Sequence, residues 1–357
     1  MKRSKPEKSR TPTAIDVARI AGVSQSTVSR VFTEGASFSE TTRRRVEEAA
    51  HKLGYRPNLI ARSLITRRSR LVAVAMGYLE NQFYPAVLEQ LAGRLADAGY
   101  RILLFTAPDR SADPILEDIL RYRAEAVVLA SAHLSSALAE ECRVAGVPVV
   151  LINRTTRTAS VSTVTGDNFN GARTVAAFLA AGGHRRPAYI AGLEDSSTSR
   201  ERERGFFGYF AEQGLPEPAR AVGHFSFDGA MAAARDLLNR LPRPDAIFCA
   251  NDHTAFAAMQ VARHEFDLDI PGRLSVVGFD DVEAARWSSF DLTTFSQPIV
   301  PMVEEAVRIL TRLLDDPSSP KHNAVIPGRL IVRGTAREPT AGTMVVDGVK
   351  VWDVPAT

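Results

Sequence analysis

Cysteine is scarce in this chain of 357 residues: Cys142 and Cys249 stand far apart, with no Cys-x-x-Cys pair and no clustered histidines. That argues against a disulfide-stapled scaffold and against a zinc site of the common spacings, and it fits a reducing compartment. Long apolar runs are lacking too, so no stretch has the length to span a bilayer. The opening "MKRSKPEKSR" has the charge of a signal-peptide start, but Asp16 and Arg19 interrupt the apolar residues that follow. The expectation is a cytoplasmic protein with no membrane partner. Missing as well are a Gly-x-Ser-x-Gly elbow, a glycine-rich phosphate loop and a histidine-centred triad, the marks of nucleophilic or phosphoryl-transfer catalysis. This points to a chain that binds rather than transforms, with no cofactor and no metal.

What is present is an ordinary globular composition, 45% hydrophobic and 24% charged, long enough for roughly two or three domains. The net charge of +3 conceals an uneven distribution: residues 1–70 hold 16 Lys and Arg against 6 Asp and Glu, and the remainder 28 against 35. A basic head on an acidic body suits a module that meets a polyanion.

Patterning divides the chain into a basic tail (1–12), three helical patterns (13–57) that stop at Gly54 and Pro57, and a short linker (58–69). From 70 to 336, β-branched apolar runs ("RLVAVAM", "RILLFTA", "AVVLAS", "PVVLIN", "RPAYIAG", "DAIFCAN", "LSVVGFD") alternate with amphipathic helices, expected over 85–99, 170–182, 200–214, 229–241 and 300–314. Such alternation implies parallel sheets covered by helices, and there are too many units for one lobe, so a two-lobed α/β core is expected. Residues 337–357 have weak strand character and no familiar pattern.

The head carries its own signal. Thr13 can cap a first helix, with Asp16 three residues on and Val17, Ile20 and Ala21 as its inward stripe. Gly22 suits a tight turn, Ser24 can cap a second helix, and Val28, Val31 and Phe32 gather on one side of it. Ser26, Ser29, Arg30 and Thr33 then face outward, with Gln25 projecting from the first turn. Short hydroxyls, an amide and a guanidinium are what base edges and phosphates in a major groove require. A third helix, capped by Ser39 and carrying Val46, Ala49, Ala50 and Leu53, closes a small core. The linker "NLIARSLIT" has an N-cap in Asn58 and an apolar side at Leu64, but is shorter than the roughly 12 to 15 residues an isolated helix needs in water.

In parallel α/β sheets ligands sit at the carboxyl ends of strands, which here read Asn153, Asn251 and Asp280. Asp280 can accept from two adjacent hydroxyls, Arg202 can donate to a hydroxyl or anionic oxygen, and Phe227 can cover the apolar face of a ring: together a site for a polyhydroxylated ligand. In the first lobe "NQFYP" places Asn81, Phe83 and Tyr84 near the opposite wall. Plainer roles compete. Arg202 lies in an alternating Arg/Glu run that could be a solvated helix face, Asn251 and Asp252 precede a helix they could cap, and Phe227, Phe83 and Tyr84 could be core.

At "TAIDVARIAGVSQSTVSRVF" and "SETTRRRVEEAAHKLGYRPN" the chain resembles the lactose-repressor (LacI/GalR) family of bacterial transcription regulators, and its stretch 70–336 is similar to that family's effector core. The resemblance implies a helix-turn-helix head, a hinge and a two-lobed core like that of periplasmic binding proteins. It also implies an effector-controlled repressor that acts as a homodimer on a pseudo-palindromic operator. Carried over by position, Gln25, Ser26 and Arg30 read bases, Thr27 and Ser29 contact the DNA backbone, and Leu64, in the segment opened by Asn58, wedges into the minor groove. Arg67, Arg68 and Arg70 lie beside phosphates. Arg202, Phe227, Asn251 and Asp280 match the family's effector positions, whereas Asn153 stands where relatives often carry an acid. The rivals are a periplasmic-type sugar-binding receptor, which would carry a cleavable signal and no such head, and a sugar-transforming enzyme.

Overall fold

The structure, a computed structural model, describes residues 11–32, 37–56, 68–106, 118–119, 121–130, 136–156 and 161–354. Thr33, Asn58, Leu64 and Arg67 lie outside the described residues. The chain divides into two compact units, Met1–Ser69 and Arg70–Thr357.

The first unit is built on three helices, α1 (Ala14–Ala21), α2 (Gln25–Val31) and α3 (Glu40–Leu53). Each begins at a hydroxyl cap. Thr13 accepts from the Asp16 N–H while the Asp16 carboxylate accepts from the Thr13 N–H at 3.0 Å, and Ser24 and Ser39 accept from the N–H groups of Thr27 and Thr42. Gly22, at φ 65, turns the chain between α1 and α2 in a conformation that glycine adopts at little cost. The Arg45 guanidinium donates to the Ala21 carbonyl, so a cation from α3 sits on the C-terminal end of α1. Val17, Ala18, Ala21, Val28, Val31, Val46, Ala49 and Ala50 form the core. Ile20 departs from the expected stripe and is 46% exposed. Over two turns the buried face centres between Val17, Ala18 and Ala21, and at roughly 100° per residue Ile20 falls on its flank.

The second unit has two sheets. The first runs β11-β5-β4-β3-β1-β2 and is parallel throughout, from β1 (Leu71–Met76), β2 (Arg101–Thr106), β3 (Ala126–Ala130), β4 (Val149–Ile152), β5 (Ser162–Gly166) and β11 (Asn323–Ile326). In the second sheet, β7 (Ala219–Val222), β6 (Pro187–Ala191), β8 (Ala246–Cys249), β9 (Ser275–Asp280) and β10 (Thr293–Ser296) are parallel. β12 (Arg329–Ile331), β14 (Val349–Trp352) and β13 (Thr343–Val346) extend it antiparallel, so this sheet is mixed rather than wholly parallel. The last two strands form a hairpin whose two-residue loop, Asp347 and Gly348, has φ 53 and 78, the left-handed pair that tight hairpins demand. Central strands such as β3 are buried on both faces, which is why they read as unbroken apolar runs.

Among the described residues the α-helices of the second unit are α4 (Phe83–Asp97), α5 (Ser136–Val144), α6 (Asn168–Ala181), α7 (Ser197–Glu212), α8 (Phe227–Asn239), α9 (Asp252–His264) and α10 (Ile299–Asp315). Three of them start before their apolar periodicity does, because Asp167, Ser196 and Ser226 cap α6, α7 and α8. α10 follows a strand of the second sheet yet packs its stripe of Met302, Val303, Ala306, Ile309, Leu310 and Leu313 on the first lobe, against α4, β4 and β5. The chain therefore passes between the lobes three times: after β5, after β10 and after β11. These passages touch. The Asp167 N–H donates to the Ile326 carbonyl at 3.0 Å, and a Cβ on Gly328 would stand 2.0 Å from the Ser296 carbonyl oxygen, so only glycine fits there.

Candidate functional site

Where the strands of both lobes end, a narrow cleft collects polar side chains. From the first lobe come Tyr78 and Asn81 after β1, Tyr84 on α4, and Asn153 and Arg154 after β4. The second lobe contributes Thr198 and Arg202 on α7, Phe225 before α8, Asn251 after β8 and Asp280 at the end of β9. At its centre are two nearly inaccessible charges, Arg202 (2% exposed) and Asp280 (3%), with Nη2 and Oδ1 3.4 Å apart. The guanidinium also donates to Asn168 Oδ1 at 2.8 Å and to the Ala250 carbonyl, and lies 3.8 Å from the centre of the Phe279 ring. The carboxylate accepts from Gln297 Nε2 at 2.7 Å and from Asn81 Nδ2 at 3.4 Å. Burial pushes the Asp280 carboxyl up from its ordinary value, against Arg202, Gln297 and Asn81, which hold it down. Burial likewise pulls Arg202 down, opposed by Asp280. Arg202 thus belongs to the cleft and not to a solvated helix face.

The other expected residues divide. Asn81, Tyr84, Asn153, Asn251 and Asp280 join Arg202 in the cleft. Asn153 is left-handed (φ 56); its Nδ2 donates to the Tyr84 hydroxyl at 3.4 Å, and its Oδ1 is buried with no hydrogen-bond partner among the described residues. Asn251 also serves as the cap of α9, its Oδ1 accepting from the Thr254 N–H at 2.9 Å. Phe83 and Phe227 are corrections. Phe83 is 0% exposed in the core, edge-on to Tyr84. Phe227 is the first residue of α8, 5.7 Å from the His253 ring, and lines a neighbouring pocket with Trp287 and Phe290 that meets the cleft at Asn81. The phenylalanine that lines the cleft is instead Phe225. The signal that separates them is Ser226: the residue before a cap belongs to the strand-to-helix loop, the residue after it to the helix. Arg154, which donates to Thr198 Oγ1 at 2.8 Å across the lobes, and Gln297 carried no sequence signal.

In the head, Gln25, Ser26, Ser29 and Arg30 are exposed on one side of α2, opposite buried Val28 and Val31, and Thr27 is half-buried. The Ser24 hydroxyl, 2.7 Å from that of Ser26 and 2.8 Å from that of Thr27, fixes the first turn of this face. Arg68 and Arg70 are described at the end of the linker and the start of the second unit.

Comparison with known proteins resolves which family has this pairing of head and core. The family profile described as bacterial regulatory proteins, lacI family, matches residues 13–58, and that of the periplasmic binding protein-like domain matches residues 176–336. The HTH-type transcriptional regulator CelR of Thermobifida fusca is 33% identical over 337 residues, 92% of this chain and 99% of that protein. This chain belongs to the lacI family of bacterial regulatory proteins. Two solved structures are similar over nearly the whole chain. One is a CelR–cellobiose complex (30% identity, TM-score 0.69, covering 91% of this chain and 100% of that one). The other is the lac repressor dimer bound to operator and the anti-inducer ONPF (27% identity, TM-score 0.82, 91% and 99%). The chain is thus a DNA-binding regulator with an effector-type core. Among the described residues no helix is long and apolar enough to cross a membrane.

Behind the cleft of this lacI-family regulator lies a second buried carboxyl. Asp252, first residue of α9, accepts from the Val282 N–H at 2.9 Å and from the Thr294 hydroxyl at 2.5 Å. Burial, with Asp280 nearby, pushes it up to about 8 from an ordinary 3.8. In the unfolded chain it ionises near the ordinary value, so as pH rises between the two the unfolded state alone sheds this proton and the folded state loses ground. Asp252→Asn is expected to remove that slope. Urea unfolding at about pH 5, 7 and 9 should show the parent losing stability relative to the variant as pH rises; a constant difference would contradict the assignment.

Proposed function

We propose that this protein is a cytoplasmic, homodimeric repressor whose affinity for a pseudo-palindromic operator is set by a sugar or sugar derivative in the cleft, with no cofactor and no catalytic step. The observation that carries this reading is the buried Arg202–Asp280 pair facing Asn81, Tyr84 and Asn153, with Phe225 beside it. A carboxylate that accepts from two hydroxyls, guanidinium and amide donors, and an aromatic face are the complement of a polyhydroxylated ring. The relative solved with cellobiose supports the ligand class, and the one solved as an operator-bound dimer supports the assembly.

In this proposal Gln25, Ser26 and Arg30 read bases, and Thr27 and Ser29 position the helix on the backbone. Asn58 and Leu64 belong to the hinge segment that meets the minor groove. Two heads on one two-fold axis match a two-fold operator. Ligand that touches both lobes favours one arrangement of them, and the three adjacent passages are where that arrangement changes.

Arg30→Ala is expected to weaken operator binding by roughly 1 to 3 kcal/mol and leave binding to random DNA nearly intact. Gel-shift titration on both DNAs checks this, and equal losses would make Arg30 a phosphate contact. Arg202→Ala leaves a ligand oxygen without its charged donor, worth about 1.5 to 3 kcal/mol. The sugar that most raises the melting temperature of the parent, from a panel of pentoses, hexoses and disaccharides, is then titrated into operator complexes of parent and variant. The variant should respond only at higher sugar concentration than the parent. Superimposable curves would remove Arg202 from the site.

A further inference from the structure

The backbone that presents Asp280 is strained. Asp280 has φ 127 and Asp281 φ 56, two consecutive non-glycine residues in a region L side chains rarely occupy, so their surroundings must hold them there. The Asp281 carboxylate points away from the cleft to Arg333, Nη2 to Oδ1 2.6 Å, and to Arg286, Nη2 to Oδ2 3.1 Å. Asp281 and Arg333 side chains are 8% and 12% exposed, whereas Arg286 is 67% exposed and more fully screened by solvent. Arg333 is itself pinned: its Nη1 donates to the Leu292 carbonyl at 2.7 Å and its N–H to Thr293 Oγ1 at 2.9 Å, which donates back to the Arg333 carbonyl at 3.0 Å. On the far side of the turn the Val282 N–H is held by Asp252.

We propose that the Asp281–Arg333 ion pair is a positioning device for the effector site: it holds the strained turn after β9 so that the Asp280 carboxylate faces Arg202 and the cleft, although neither Asp281 nor Arg333 lines that cleft. The proposal rests on reading the cleft as the effector site. It also gives the C-terminal hairpin a part. Arg333 follows β12, the adjoining Val332 N–H donates to the Lys350 carbonyl of β14 at 2.9 Å, and the hairpin is seated by Trp352, 3% exposed and edge-on to Phe178. The hairpin steadies the strand from which Arg333 reaches the turn.

The test uses full-length Arg333→Gln, Arg333→Lys and the double variant Asp281→Gly/Arg333→Gln, each first without ligand. Hydrogen exchange of the segment 280–284 is expected to quicken about tenfold in Arg333→Gln and less in Arg333→Lys, with the rest of the core unchanged. Affinity for the sugar selected on the parent should fall about tenfold in parallel, while operator affinity without sugar stays. Asp281→Gly in the Arg333→Gln background should recover most of that affinity, because glycine takes the left-handed turn without a clamp; a purely structural role would not be rescued so. If Arg333→Gln fails to fold, the same comparison is made with Arg333→Lys. Unchanged exchange, quicker exchange with unaltered affinity, or failure of the glycine rescue would overturn the proposal. If no sugar shifts the melting of the parent, the effector reading fails separately, and exchange alone decides whether the clamp holds the turn.

Discussion

The arrangement turns on one buried ion pair. Removing both Arg202 and Asp280 from water is costly, and such a pair persists only where every remaining donor and acceptor is met. The solution here spreads across the core: Arg202 is held by Asn168 at the start of α6, the Ala250 carbonyl after β8 and the Phe279 ring of β9. Asp280 draws one donor from Gln297, which lies in a passage between lobes, and another from Asn81, which belongs to the opposite lobe. First lobe, second lobe and connecting passage thus meet at a single carboxylate. A ligand hydroxyl that replaces or adds to these donors changes how the lobes are held, without any force transmitted through a rigid rod.

The surrounding fold makes that junction responsive. Three chain passages lie side by side, one narrowed to glycine at Gly328 by the Ser296 carbonyl, and one buried apolar cluster takes in residues of both lobes. The C-terminal strands act on the opposite side: β12 and the hairpin extend the second sheet and anchor Arg333 behind the strained turn. In the proposed mechanism the lobes rearrange about these passages while the clamp keeps the Asp280 carboxylate fixed within one of them. A site that must both bind and move requires that division.

How far the sequence disclosed this varies by element. The head was legible because short helices advertise themselves through caps: Thr13, Ser24 and Ser39 each mark a start, and the polar face of α2 follows from the positions of Val28 and Val31. Ile20 stays exposed because a helix of two turns buries one narrow face and this residue lies on its flank. In the core, strand ends locate Asn153, Asn251 and Asp280, whereas aromatic character alone does not separate Phe225 from Phe227; the cap at Ser226 does, because it sets where the helix begins. Arg154, Thr198 and Gln297 were invisible because their partners come from distant parts of the chain. The hairpin's strands are weak in pattern, but its Asp347-Gly348 loop is a local signal for the turn it makes.

Coupling between effector and operator binding in one molecule takes a strict thermodynamic form, because each ligand must change the other's affinity by the same factor. With purified full-length protein, the operator dissociation constant is measured with and without saturating sugar, and the sugar dissociation constant with and without operator. Coupling requires the two ratios to agree within error and to differ from unity by about 5- to 150-fold, whichever direction the sugar acts. A sugar that binds in the cleft, is displaced by Arg202→Ala, and yet leaves operator affinity unchanged would contradict it.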